Sequence, residues 1–281
     1  MITSVTNPQV KQVCGYVQKA KERRKDQIYV VEGPRMFEEA PPRLIRKVYV
    51  TEEFLEKCGA VSSLVRQGKQ DEGSREQRVL EKLNSVSYET VSAQVMEKMS
   101  DTSSNQGILA LLDWPEYDWD QLLAEPEGVY VVLEDLQDPG NLGTIFRTAE
   151  GAGAAGVIMT GETADLFNPK TVRSTMGSIY RVPFLYEASA LTAIDRLKER
   201  GICVYAAHLN GTKSYDQFDY IKGCAFLIGN EGNGLRKETA DLADSYVRIP
   251  MAGKLESLNA AVAAALLMYE TARQRRGKET V

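Results

Sequence analysis

The sequence predicts a two-domain α/β protein whose second domain is built on a parallel β-sheet. Three observations carry that expectation. The chain has 281 residues, too many for one average domain and comfortable for two. After residue 128, near-continuous apolar strands alternate with helical stretches, the pattern of a parallel sheet covered on both faces. Between the halves, DWPEYDWDQLLAEPEG carries two prolines and six acidic residues and reads as a linker. The predicted organisation is a smaller α/β domain over 1–115, a linker over 116–127 and a larger domain over 128–275.

In the first half, DQIYVVEG and RKVYVT read as strands, each followed by a helical stretch, PRMFEEA and EEFLEKC. Residues 67–78 are polar and predict a loop or weak helix. VSYET, a helix near 91–100 and ILALLDW complete the unit. The second half runs GVYVVLED, a helix from about 141, GVIMT, a helix near 170, RVPFL and a helix near 190–200. ICVYAAH, CAFLIG, a helix from Gly234, SYVRI and a long final helix follow. Ligands of parallel sheets bind at the carboxyl ends of the strands, so the loops after 134, 208, 228 and 249 should hold the chemistry.

Composition narrows the classes. Apolar residues make up 43% and charged residues 26%, ordinary for a globular protein able to bury real cores. MITSVTNPQV has no basic stretch followed by an apolar run, and no window approaches the ~18 apolar residues of a membrane span. The cysteines Cys14, Cys58, Cys203 and Cys224 form no C-x-x-C pair and suit reduced thiols in a cytoplasm. His208 is the only histidine, which argues against a metal site or a serine or cysteine triad. It reads better as a strand-end residue than as a general base. Net charge is −5, but residues 1–35 hold seven basic against three acidic side chains. That arm, densest from Lys19 to Lys25, suits either phosphate contact or a solvated helix face.

Three loops stand out. In LEDLQDPGNLGTIFRTAEGAGAAGVIM, a strand ends at Glu134, Asp138-Pro139-Gly140 turns the chain, and a helix starts near Asn141, which could serve as its N-cap. Arg147 lies one turn beyond Gly143, so an arginine and an amide could meet at a positive helix end, fit for a phosphate or ribose. In AFLIGNEGNGL, Gly229, Gly232 and Gly234 let backbone approach a ligand closely. The spacing is G-x-x-G-x-G and not the dinucleotide G-x-G-x-x-G, and Glu231 would repel a pyrophosphate; both argue against a nicotinamide cofactor. In YVRIPMAGKLESLNAAVAAALLMYE, Ser257 and Asn259 precede an alanine-rich helix fit for close packing, inside one subunit or between two.

In this order, D-P-G-N-L-G-T-I-F-R-T-A, L-I-G-N-E-G-N-G-L and I-P-M-A-G-K-L-E-S-L-N-A-A-V-A resemble the SpoU family of RNA ribose methyltransferases, in the knotted SPOUT superfamily. The resemblance covers about residues 128–273. YVVEGPRMFEEA and NQGILALL are similar, more weakly, to the family's N-terminal substrate-binding domain, which is like a ribosomal protein. The resemblance implies a parallel-sheet domain with a deep trefoil knot, a homodimer, and S-adenosylmethionine as cofactor. It implies that Gly229, Ile249 and Leu258 line the cofactor pocket, and that Asn141, Arg147, Glu231, Ser257 and Asn259 form the catalytic and RNA-facing set. The implied reaction is methylation of a ribose 2′-hydroxyl, with 23S rRNA as the expected substrate. A tRNA substrate, or an RNA-binding protein without activity, are the alternatives. Because guanidinium stays protonated in proteins, Arg147 is better suited to holding a phosphate and stabilising a developing alkoxide than to taking a proton.

Overall fold

A computed structural model describes residues 1–66 and 74–278. The predicted loop or weak helix over 67–78 therefore falls partly outside the described residues. The chain forms two compact units: Met1–Pro115 with Phe167–Tyr180, and Glu116–Leu166 with Arg181–Val281.

In the first unit the elements are α1 (Pro8–Gln18), α2 (Ala20–Asp26), β1 (Ile28–Glu32), α3 (Pro34–Glu39), β2 (Ile45–Thr51) and α4 (Glu52–Arg66). They continue with α5 (Arg75–Leu83), β3 (Tyr88–Val91), α6 (Ala93–Met99) and β4 (Ile108–Asp113). The sheet runs β1-β4-β2-β3, with β2 and β3 parallel and the other pairs antiparallel. Val10, Val13 and Tyr16 of α1 and Val95, Met96 and Met99 of α6, at one-turn spacing, bury one face of the sheet. The segment 167–180, which the sequence assigned to the catalytic domain, belongs to this unit. Phe167 stacks on Trp114 at 4.1 Å and lies 5.1 Å from Tyr29, and the helix Pro169–Ser174 packs on β1. Aromatic burial overrides chain order here.

The basic arm forms α2, and it is not uniformly exposed. Lys19, Lys21, Arg24 and Lys25 face solvent, whereas Arg23 is 2% exposed. Its guanidinium donates to the carbonyls of Tyr16 at 2.6 Å and Val17 at 3.2 Å. Those carbonyls lie in the last turn of α1, where no helical partner remains.

The second unit comprises α7 (Trp119–Leu122), β5 (Val129–Glu134), α8 (Pro139–Ala152) and β6 (Gly156–Thr160). After α9, the first unit's Pro169–Ser174, come β7 (Phe184–Glu187), α10 (Ala190–Glu199), β8 (Cys203–Ala207) and the short β9 (Lys213–Ser214). The unit closes with β10 (Cys224–Ile228), α11 (Lys237–Asp241), β11 (Ser245–Arg248) and α12 (Ala260–Lys278). The sheet order is β7-β6-β5-β10-β8-β11-β9, parallel throughout. The strand order reverses about β5 and β10, so the loops after Glu134 and Ile228 emerge side by side, the usual ligand crevice of such sheets. Two expectations shift. Helix α11 starts at Lys237 and not at Gly234, because Gly234 (φ +70°) closes a tight turn whose backbone pairs with Asn230. On α12, Ala260, Ala261 and Ala264 are buried within the subunit, and the helix packs on α8. The apolar side chains it leaves exposed are Val262 and Tyr269.

Replacing Arg23 with methionine removes charged hydrogen bonds from otherwise orphaned carbonyls and should lower unfolding stability by about 2 kcal/mol or more. Arg24→Ala should cost less than about 0.5 kcal/mol. Urea denaturation followed by circular dichroism reads both.

Candidate active site

Helix α8 begins with Asp138, whose carboxylate accepts the Asn141 N–H at 2.7 Å, and Pro139 fills the first helical position. Asp138 is thus the N-cap, which frees the Asn141 amide to face outward. Its Nδ2 donates to Glu231 Oε1 at 2.9 Å, and its Oδ1 accepts Asn259 Nδ2 at 2.8 Å. Glu231 also accepts the backbone N–H of Asp138 and of Gln137, each at 3.0 Å. Asn259 Oδ1 in turn accepts Ala261 N at 2.9 Å and so caps α12. One chain of side-chain contacts, Asn259–Asn141–Glu231, therefore ties together all three loops that the sequence singled out.

Burial pushes the Glu231 carboxyl up, but the Asn141 amide and the Gln137 and Asp138 N–H groups outweigh it and hold the group below the usual carboxylate range. The positive end of α8 favours the same ionised form.

The glycine run is held from inside. A side-chain carbon on Gly229 would stand 2.1 Å from the Gly234 carbonyl carbon and 2.2 Å from Leu235 N. The space left by its missing side chain is filled by the loop's own backbone, so the glycine closes the turn and does not leave room for a ligand. Asn230 completes the turn: Oδ1 accepts Gly232 N at 2.9 Å and Asn233 N at 3.0 Å, while Nδ2 donates to the Asp135 carbonyl at 2.9 Å. The sequence reading missed Asn230. Its signal was an Asx-type residue two positions past a buried strand and set among glycines, at Gly229, Gly232 and Gly234.

Behind this network lies a cleft of ≈ 370 Å³. Gly229, Glu231, Ile249, Ser257 and Leu258 line it, so five of the eight expected residues share one cavity and Asn141 and Asn259 are bonded to its rim. Arg147 does not join them. It is exposed and makes no hydrogen bond or ion pair among the described residues. Six residues from Asn141 along α8, it lies ~9 Å further on and about a third of a turn away around the axis, so the two do not converge within one subunit. His208 lines the cleft instead: Nδ1 accepts Asn210 N at 3.1 Å, and the ring lies 4.8 Å from that of Tyr246. Among the described residues, no group of three His, Cys, Asp or Glu side chains is placed to hold a metal ion, and no helix is long and apolar enough to cross a membrane.

The cleft suits S-adenosylmethionine. Its volume lies within the ~300–1,000 Å³ of small-molecule sites. Its lining pairs apolar Ile228, Ile249, Leu258 and Ala263 with the backbone of the glycine turn, and it carries Glu231 and Glu256. Such a lining accepts a cationic sulfonium and an adenosine better than a pyrophosphate.

This is the fold of a cofactor-dependent methyltransferase, with a cleft where such a sheet binds its ligand. A model of the SpoU rRNA methylase family matches residues 128–269, and a model of the MRM3-like substrate binding domain matches residues 7–110. The chain belongs to the SpoU family and is an S-adenosylmethionine-dependent RNA 2′-O-ribose methyltransferase. It is 31% identical over 251 residues to the 23S rRNA (guanosine(2553)-2′-O)-methyltransferase RlmP of Bacillus subtilis, covering 89% of this chain and 90% of that protein. The S-adenosylmethionine complex of the SpoU methyltransferase AviRb from Streptomyces viridochromogenes superposes with a TM-score of 0.81 at 26% identity, covering 96% and 98% of the two chains. The cofactor-bound rRNA methyltransferase of Sinorhizobium meliloti gives 0.80 at 31% identity, covering 97% of each.

Gly229→Ala should be as damaging as a larger substitution, because its first side-chain atom already meets backbone. Expected outcomes are a lowered melting temperature and loss of S-adenosylhomocysteine binding by calorimetry. The lowered pKa of Glu231 has its own consequence. Its stabilising contribution is complete above the unfolded value of ~4.3 and is lost as pH falls through the lower folded value. Glu231→Gln should therefore flatten the acid limb of the stability curve below about pH 4. Equilibrium unfolding between neutral pH and pH 3 measures it.

Proposed function

We propose that this enzyme methylates a ribose 2′-hydroxyl in 23S rRNA, in the cytoplasm, as a homodimer. The observation that carries the reading is the Asn259–Asn141–Glu231 chain at the rim of the cofactor cleft. Support for an rRNA target comes from the extent of the likeness. The rRNA enzymes match nearly the whole chain, whereas the Aquifex aeolicus TrmH/SpoU tRNA modifying enzyme covers 57% of it, with a TM-score of 0.50. The domain over 1–115 is assigned to RNA binding, with Lys19, Lys21, Arg24 and Lys25 as exposed cations for phosphates.

S-adenosylmethionine supplies a methyl group on a sulfonium, already activated toward displacement. In this proposal the residues align the reactants, and alignment alone accounts for ~7–11 kcal/mol of barrier. Ile249 and Leu258 pack the cofactor, and the turn at Gly229 offers it backbone groups. Asn141, Ser257 and Asn259 orient the ribose, and Glu231 holds the Asn141 amide and the start of α8 in place. Arg147 stays protonated, grips the adjacent phosphate and stabilises the developing alkoxide, whose proton passes to a phosphate oxygen or water.

The isolation of Arg147 within one subunit supports the dimer. It stands exposed on α8, and Val262 and Tyr269 stand exposed on α12, which packs against α8. Arg147 of one protomer would then complete the cleft of its partner. The trefoil knot belongs to the same proposal. Its support is the crossing from β11, beside β8, to α12, which packs on α8.

Mass-spectrometric mapping of methylated riboses in RNA from a deletion strain tests the substrate; loss of one 23S rRNA methyl group is expected, and loss from tRNA would overturn the rRNA assignment. Arg147→Ala should lower methyl transfer at least a hundredfold while leaving S-adenosylhomocysteine affinity within about twofold. The Val262→Asp, Tyr269→Glu double variant should shift the protein from dimer to monomer in light scattering and abolish transfer with it.

A further inference from the structure

Beside the cofactor cleft lies a second cavity, of ≈ 280 Å³. Asn230, Asn233, Gly234 and Leu235 line both, so the glycine turn is the wall between them. The far side is formed by Asp135, Gln137, Glu162 and Arg236. Gln137 connects it directly to the chemistry, since its backbone N–H is one of the donors to Glu231.

This second cavity is rigidly built. Asp135 adopts φ +55°, a backbone region that non-glycine residues seldom occupy. It is held there from several sides. Its carbonyl accepts Asn230 Nδ2 at 2.9 Å, one carboxylate oxygen accepts Glu162 N at 2.7 Å, and the other accepts Arg236 at 2.5 Å. Both Asp135 oxygens are thus occupied, one of them by a single Nη2 donor of Arg236, and further groups face the cavity beside them. Those are the Glu162 carboxylate and the side-chain amides of Gln137 and Asn233, all exposed and without a hydrogen bond among the described residues.

Resting on the methyltransferase reading above, we propose that this cavity receives the base of the acceptor nucleotide and that the base is guanine. The charge balance argues against a phosphate: two carboxylates, Asp135 and Glu162, stand against the one guanidinium of Arg236, which leaves the lining net negative. A base fits, because unpaired bases are read along their Watson–Crick edges and lie against guanidinium planes such as that of Arg236. Among the four bases, guanine alone presents two adjacent donors, N1–H and the N2 amino group, the arrangement a carboxylate accepts through both oxygens. Adenine, cytosine and uracil each set an acceptor where the second carboxylate oxygen would stand. The guanine O6 is left for an amide donor, and Gln137 and Asn233 supply one. The position is also right for the reaction. Gln137, in the wall of this cavity, donates its N–H to Glu231, which lines the cofactor cleft on the other side of the turn.

The test uses the full-length enzyme and an RNA transcript spanning the mapped methylation site, with guanosine or inosine at the acceptor position. Inosine lacks the N2 amino group and keeps O6 and N1–H. Methyl transfer by the unaltered enzyme should fall about tenfold to a hundredfold in kcat/KM on inosine. Glu162→Gln should show a loss of the same size on guanosine, and little further loss on inosine, because the partner is already gone. S-adenosylhomocysteine affinity of Glu162→Gln should stay unchanged by calorimetry, which a collapsed loop would not allow. Equal losses on both transcripts, or full activity of Glu162→Gln, would overturn the assignment of Glu162. A mapped methyl group on any nucleotide but guanosine would overturn the guanine proposal and leave the methyltransferase reading intact. Absence of transfer to any RNA would overturn both.

Discussion

The active half of this molecule is organised by one carboxylate. Glu231 accepts two backbone N–H groups at the entry to α8 and the amide of Asn141, and through Asn141 it reaches Asn259 and the start of α12. A carboxylate offers about four lone-pair positions and donates nothing when ionised, so a single side chain can gather several donors from separate loops. The N–H groups of Gln137 and Asp138, at the entry to α8, lie ahead of its first helical hydrogen bond and have no partner within the helix. Glu231 draws on that need to bind the loop after β10 to the loop after β5. The physical cost is small because the loops already emerge from neighbouring parallel strands.

The other constraints serve this one. Asn230 shapes the turn that carries Glu231 and ties it to the strand end at Asp135. Gly229 lets the turn fold back on itself without a clash. Glu134, almost wholly buried, accepts Arg236 N at 2.8 Å and Thr239 Oγ1 at 2.5 Å, fixing where the chain leaves the turn toward α11. Buried polar groups that are fully satisfied in this way rigidify a site, and alignment of reactants depends on such rigidity. A methyl transfer with a neutral leaving group asks for positioning above all, and a network of this kind is suited to supply it.

The first unit is stabilised differently. Its sheet is covered by α1 and α6, and the distant segment 167–180 joins it through Phe167, which lies against Trp114 and Tyr29. Arg23 shows how charge can mislead in such a setting. It sits in a run of cations yet serves the carbonyls of α1, so its charge is turned inward while its neighbours' charges face solvent.

The sequence alone determined the alternation of the main strands and helices, the parallel sheet and the identity of the three loops, but not the short elements at Trp119–Leu122 and Lys213–Ser214. Apolar runs and helical periodicity report local environment directly, and the loop residues carry their chemistry wherever they are placed. It also identified Glu231, Asn141 and Asn259 separately. Only the tertiary structure decided that these three are bonded to one another, because residues 90 and 118 positions apart in the chain meet through sheet topology that no local pattern encodes. The same holds for the other differences. Gly229 is required by backbone five residues away, Asp138 and not Asn141 caps α8, and the alanines of α12 are used within the subunit while Arg147 is left outside it. In each case the sequence reads which kind of surface a residue prefers. Folding decides which surface of that kind it meets.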